Sequence, residues 1–292
     1  DLHYALNFTL HRGSPFLNDV ELFEEGVIRI YDVLFPATVL LETDTYLRDF
    51  IVRSGLDSPT ATSEFHYLLG RDLLERFPGC ADHSVVAQAA LLGVPIYTSS
   101  PGDSSIGMNI AYHELMNGSR FMIDPNKDVN EVCALVRAGH QNGCVILGGG
   151  SPKKFYLQVQ PTLWEVYGIP KGGNDYFIQI TTDQVVWGGL SGATPAEAVS
   201  WGKVDPDSLP DCVVAYVDST ISLPLLTAYV LSRVKPRKQK RLIDRRDELL
   251  DQVRAQYLKT GTVTKIKTSR KIAKRASSVG LGVDTKTPDR DR

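Results

Sequence analysis

The sequence predicts an α/β fold with a mainly parallel sheet and helices on both faces. Segments with helical apolar spacing alternate with short apolar runs, and those runs end in glycine or polar residues. Open parallel sheets bind ligands at such strand ends. The chain has 292 residues, 42% hydrophobic and 23% charged, which suits one large α/β domain or two small ones.

Taken in order, Val20, Phe23, Val27, Ile30, Val33 and Leu34 recur at helical spacing and predict a helix over 19–35, stopped by Pro36. Residues 63–77 and 83–92 read as helices, the second closed by Gly93. Val94-Pro95-Ile96-Tyr97-Thr98 reads as a strand running into a loop of small residues. A short apolar run at 121–123 precedes a loop and a helix over 127–137. Cys144-Val145-Ile146-Leu147 reads as a buried strand ending in Gly148-Gly149-Gly150, and 176–180 and 212–217 are two more β-rich runs. A charged amphipathic helix is expected over 241–258, within a charged segment 235–259, and a basic disordered tail over 260–292. The domain itself is read as 1–234.

Charge is divided unevenly. Residues 233–292 hold 19 Lys and Arg against 7 Asp and Glu, so an acidic body carries a basic tail. An acidic body steers cations toward it, though weakly. The tail region has one aromatic residue, Tyr257, and no recognisable nucleic-acid module, so a solvated tail is the preferred reading. Four separate cysteines without a C-x-x-C pair argue against a disulfide framework or zinc site and make a reducing cytoplasm the default. No run of about eighteen apolar residues could span a membrane. Asp1 opens into sequence that already looks folded, so a preceding segment is expected. The six histidines form no H-x-x-x-H or H-E-x-x-H pattern, and no metal is expected.

Three stretches could carry chemistry. The triple glycine lets a backbone approach a phosphate or ring, but is also an ordinary tight turn. In the second stretch, Thr194, Pro195 and Glu197 start a two-turn helix and Gly202 ends it. Glu197 and Trp201 share one face, and Lys203 follows beside the indole. A lysine in a partly dry site loses ammonium stability and can attack a carbonyl or imine carbon. Equally, Glu197 could only cap and Trp201 only pack. In the third stretch, Asp218 ends a β-rich run, where it could bind ribose hydroxyls or cap the next helix. Asp103 carries the same ambiguity.

Ile146-Leu147-Gly148-Gly149-Gly150-Ser151-Pro152-Lys153, then Ser191-Gly192-Ala193 through Glu197-Ala198-Val199-Ser200-Trp201-Gly202-Lys203, then Tyr216-Val217-Asp218 and Pro224-Leu225-Leu226, resemble the deoxyhypusine synthase family in order and spacing. The resemblance covers residues 1–234. It implies a Rossmann-like fold, NAD as a tightly bound redox cofactor, and a homotetramer with active sites at a dimer interface. It further implies that NAD takes hydride from spermidine, that diaminopropane leaves, and that the aminobutyl imine passes to Lys203. An acceptor amine then displaces the lysine, and the new imine is reduced. Trp201 and Glu197 would line the polyamine channel, and Asp103, Gly149, Thr182 and Asp218 match cofactor-binding positions.

The chain departs from that pattern at several points. Lys154 stands where the family has a histidine base, and Gln158 where it has a polyamine-binding asparagine. Met108 replaces an acid, and Trp187-Gly188-Gly189-Leu190 replaces a stretch with two acids. The family's first cofactor segment would lie before Asp1. These departures resemble the bacterial deoxyhypusine-synthase-like branch, associated with homospermidine formation. The expected function is an NAD-dependent aminoalkyl transferase making homospermidine from spermidine, putrescine or similar amines, with Lys203 and Lys154 catalytic and Gln158 touching substrate. Deoxyhypusine synthesis on a protein lysine and a non-catalytic subunit are the alternatives.

Overall fold

The computed structural model of the chain describes residues 1–259, so the tail expected to be disordered lies outside the described residues. The chain divides into two compact units, 1–131 with 227–247, and 132–226 with the described residues from 248 onward.

The first unit begins with α1 (Leu2–Ala5), β1 (His11–Arg12), α2 (Asp19–Glu24), β2 (Val27–Ile30) and β3 (Val33–Pro36), the strands forming an antiparallel sheet in the order β1-β3-β2. The single helix expected over 19–35 is therefore wrong. Gly26, at φ +68°, ends α2 after six residues, and the β-branched residues beyond it pair as a hairpin with Ile30 opposite Val33. Two residues close that hairpin, the first of them Tyr31 at φ +54°, a backbone position that hairpin turns usually give to glycine. The apolar spacing fits both periods over so short a run, and the glycine decides between them.

Helices α3 (Thr38–Ser54), α4 (Thr62–Arg76), α5 (Val85–Leu92), α6 (Ser105–Asn117) and α7 (Pro125–Ala138) follow, the division between units falling within α7. The first core gathers Leu47, Phe50, Phe65, Leu69 and Phe121. Phe65 stacks on Phe121 at 5.9 Å and meets Phe50 edge-on at 5.5 Å. Gly70 lets α4 and α5 cross closely, since a Cβ there would lie 2.5 Å from both the Ala90 Cβ and the Val86 carbonyl oxygen. Residues 94–98, expected as a strand, form none. Pro95 lacks an N–H, the Thr98 amide donates to Thr62 Oγ1 at 3.1 Å, and the Tyr97 hydroxyl donates to Glu131 Oε2 at 3.1 Å, so the segment's polar groups are taken up by side chains instead of a ladder. The 121–123 run makes only an isolated bridge, Ile123 to Thr60.

Those contacts belong to a buried polar cluster. Asp128 accepts from the Thr62 amide at 2.8 Å and the Thr62 hydroxyl at 2.7 Å, while Ser63 donates to Glu131. Arg246 donates to Ser63 and Glu64. Burial, with nearby Glu131 as a smaller cause, raises Asp128 to about 6 against the Thr62 bonds that lower it. The folded state therefore holds this proton at pH values where the unfolded chain has lost it. The stability this group contributes is full below about 4 and is lost as pH rises toward 6. Asp128→Asn should flatten that part of a denaturation-versus-pH profile; an unaltered profile would assign the slope to another group.

The second unit contains β4 (Gly143–Leu147), α8 (Ser151–Leu157), α9 (Val159–Pro161), β5 (Tyr176–Thr181), α10 (Pro195–Ser200), β6 (Cys212–Tyr216) and α11 (Ser219–Arg233), the last crossing the division. Its sheet is parallel, in the order β4-β5-β6. Phe177, fully buried, packs with Ile146, Leu157, Ala198 and Val204, joining β4, α8, α10 and the chain after Lys203 in one cluster. A helix over 246–259 (α12) starts later than the expected 241, because Leu242–Arg245 forms a 3-10 turn. Its Leu249 and Val253 pack on Ala134 and Ile169.

Candidate active site

Parallel pairing aligns the C-terminal ends of β4, β5 and β6 along one edge of the sheet, with Leu147 opposite Ile180 and Thr181 opposite Tyr216. Gly149, Thr182 and Asp218 each lie one or two residues past those ends, so three of the four expected cofactor residues share that edge. Asp103 belongs to the first unit, exposed just before the Ser104 cap of α6. Asp218 does cap a helix: its Oδ1 accepts from the Thr220 amide at 2.8 Å and hydroxyl at 2.7 Å, and these bonds hold its carboxyl below the usual range. The capping reading left open by the sequence is real, and Oδ2 stays available for a second partner.

The glycine turn is strained in a way only glycine tolerates. Gly148 lies at φ +69° and Gly149 at φ +121°. A Cβ on Gly149 would fall 2.9 Å from Ile146 Cγ2, 2.9 Å from Lys153 Cδ and 3.3 Å from Gln179 Nε2. The missing side chain thus makes room for the protein's own interior. Gly149→Ala should cost about 1–3 kcal/mol in urea denaturation. A loss of cofactor affinity without loss of stability would instead show that the glycine serves only the ligand. A cleft of ≈380 Å³ lies beside this turn, lined by Cys144, Ile146, Gly150, Lys153 and Tyr156 among others.

Thr194 caps α10 by accepting from the Glu197 amide at 3.3 Å, Pro195 is its first residue, and Gly202 at φ +67° turns the chain out of the helix. This local sequence delivers Lys203 to a buried position, 5% exposed, with Nζ 5.0 Å from the centroid of the exposed Trp201 ring. Burial lowers the Lys203 pKa, and the charge of Lys154 lowers it further, against Glu197 and Glu165, which raise it. The indole face attracts the ammonium, so the two effects oppose each other, and the net direction is downward. Glu197 is exposed and acts on Lys203 by its charge. Lys154 is half-buried on α8. Lys203, Lys154, Glu197 and Trp201 therefore act on one another, whereas Gln158 is exposed at the end of α8 and makes no side-chain bond among the described residues.

Four residues that hold this site were missed from sequence. Asn174, fully buried, donates from Nδ2 at 2.9 Å and from its backbone amide at 3.0 Å to the Lys203 carbonyl, and the Tyr156 hydroxyl donates to Asn174 Oδ1 at 2.7 Å. Lys153, not Lys154, is the buried member of the lysine pair. Its Nζ donates to Gln179 Oε1 at 3.0 Å, to the Leu190 carbonyl at 3.3 Å and to the Ala193 carbonyl at 2.6 Å. Among the described residues, no group of three or more His, Cys, Asp or Glu side chains could hold a metal ion, and no helix is long and apolar enough to cross a membrane.

The family profile described as Deoxyhypusine synthase matches residues 1–230. A "Deoxyhypusine synthase-like protein" from a Nostoc species is 52% identical over 281 residues, covering 94% of this chain and 73% of that protein. A protein from Methanosarcina acetivorans named "Probable deoxyhypusine synthase 2" is 40% identical over 226 residues, covering 77% of this chain and 64% of its own. In fold, the chain is similar to the crystal structure of a deoxyhypusine synthase candidate from Entamoeba histolytica, with a TM-score of 0.50 at 18% identity, covering 70% of this chain and 60% of that one. With half of its residues shared with the cyanobacterial relative and a family match across both structural units, the chain belongs to the deoxyhypusine synthase family, whose members are aminobutyltransferases.

Proposed function

We propose that the chain transfers an aminoalkyl group between amines through an imine on Lys203, with NAD as cofactor and homospermidine as product. The observation that carries this reading is the buried Lys203 amine, its pKa lowered by desolvation and by Lys154, beside the Trp201 ring. A lysine so placed offers the neutral amine that nucleophilic attack requires.

The residues present fit NAD in three respects. Two positive-φ glycines leave the end of β4 free of side chains. Asp218 keeps one carboxylate oxygen beyond its cap. Thr182 is exposed at the neighbouring strand end. In this reading Gly149 and Thr182 admit the phosphates and Asp218 a ribose, as the nucleotide half of a Rossmann-like fold does. When bound, NAD accepts hydride from the carbon beside the donor's amine and returns it at the end of the cycle. The chain's own residues do the transfer. Lys203 Nζ adds to the donor imine carbon, and its lost proton leaves with the diamine as the old C–N bond breaks. The acceptor amine then adds to the same carbon and releases Lys203. Glu197 pairs with an ammonium end of the polyamine, Trp201 lies along its methylenes, and Gln158 meets the far end. Lys154 serves as the base in place of a histidine.

Replacement of the family's histidine, asparagine and acids by Lys154, Gln158, Met108 and Leu190 favours a small acceptor amine over a protein lysine. Deoxyhypusine synthesis is the second reading, favoured by the name of the Methanosarcina relative. A homotetramer in the cytoplasm belongs to the proposal, and the exposed Val145, Leu147 and Val213 on the sheet are apolar surface that a second copy would cover. Mass spectrometry of products formed from NAD with spermidine and putrescine tests the function. Homospermidine is the expected product. Transfer only to an added protein acceptor would support the second reading, and no transfer by a full-length homologue would contradict both.

A further inference from the structure

We propose that Lys153 and Gln179 form a buried ammonium–amide bracket that joins the glycine turn to the segment launching α10, and so positions Lys203 for transfer. Lys153 is 4% exposed and Gln179 fully buried, yet among the described residues no carboxylate lies within hydrogen-bond distance of the ammonium. An ammonium has three donors, and this one meets three oxygens: Gln179 Oε1 and the carbonyls of Leu190 and Ala193. The Gln179 amide is used at its other end as well, its Nε2 donating to the Gly148 carbonyl at 2.8 Å and the Ser191 carbonyl at 2.6 Å. Two side chains therefore satisfy four backbone carbonyls from two loops. Those loops have no ladder to satisfy them otherwise: 190–193 forms only a short 3-10 turn.

The consequence reaches the reactive lysine by way of the chain. Ala193 directly precedes Thr194, which caps α10, and α10 ends three residues before Lys203. Asn174 fixes the Lys203 carbonyl on the far side of that helix. The bracket fixes the near side. Lys153 touches no expected substrate position, so it is a positioning residue. Burial and the charge of Lys154 lower its pKa to about 8, against Glu197, Cys144 and Asp183, which favour the ammonium. An uncharged, unbranched replacement would take the ammonium donor from both carbonyls, leaving that of Leu190 only the Ala193 amide at 3.4 Å.

The inference rests on the reading of Lys203 as the imine-forming residue, and the experiment separates the two. Lys153→Met and Gln179→Met are compared with wild type in the full chain by hydrogen exchange and by borohydride trapping with NAD and spermidine. In the folded variants, exchange of amides over 188–200 should rise at least about tenfold, while amides of β6 stay protected. The trapping rate at saturating spermidine should fall about tenfold with unchanged half-saturation. The double variant should be no slower than either single one, because both act through one element. If Lys153→Met does not fold, Gln179→Glu replaces it, keeping the ammonium's acceptor while removing both amide donors, and faster exchange over 188–200 is again expected. Unchanged exchange there, or an unchanged trapping rate, overturns the bracket. Absence of any wild-type tag at Lys203 overturns the functional reading instead, and the exchange data still decide the bracket.

Discussion

Lys203→Ala is expected to reduce aminoalkyl transfer on the order of 10³-fold or more, with the fold and NAD binding retained. The lysine holds the covalent intermediate in this account, and nothing else in the described site offers a buried amine next to an aromatic face. Its backbone is held by Asn174 through the carbonyl, which alanine keeps, so the loop should not collapse. Lys203→Arg should be equally inactive, because a guanidinium stays protonated and cannot attack. Product yield by mass spectrometry and cofactor titration by fluorescence read the two effects separately. A variant that keeps its rate would place the nucleophile elsewhere, and one that loses NAD as well would make Lys203 a cofactor contact.

Phe177→Ala should have the largest effect on stability, about 3–5 kcal/mol in chemical denaturation. The ring is fully buried on β5 and touches the residues that hold β4, α8, α10 and Val204 together. Its removal leaves a void where β4, α8, α10 and the chain after Lys203 meet. Since single domains are stable by only about 5–15 kcal/mol, activity should be lost on mild warming before it is lost at low temperature. A loss under about 1 kcal/mol would show that the second unit repacks freely and that its core does not set the site.

Much of this was legible in the sequence, for reasons that differ by element. The parallel strands read at 144–147, 176–180 and 212–217 form at 143–147, 176–181 and 212–216, but the first is not the buried strand its apolar run suggests: Val145 and Leu147 are exposed and only Ile146 is buried. The short helix before Lys203 carries its own start and stop in Thr194, Pro195 and Gly202. The hairpin at 27–36 is not legible from apolar spacing, which also fits a helix there, and only Gly26 marks the break. The strand expected at 94–98 failed because its polar groups are claimed by Thr62 and Glu131, distant in sequence.

In the site, the position after the glycines singles out Lys154 in the sequence, although Lys153 is the lysine that turns inward. One signal could have been used. Gln179 interrupts the run Phe177-Ile178-Gln179-Ile180, and a polar side chain in the middle of a buried strand demands partners. Its partners were Lys153 and two backbone carbonyls, which no spacing rule identifies.

The central claim is the covalent role of Lys203, and trapping tests it most directly. The protein is incubated with NAD and spermidine, treated with borohydride to reduce any imine to a stable secondary amine, and digested for peptide mass spectrometry. The account expects an added aminobutyl group on Lys203, dependent on both NAD and donor and absent from Lys203→Ala. A tag on Lys153 or Lys154 in its place, or no tag while product still forms, would contradict it.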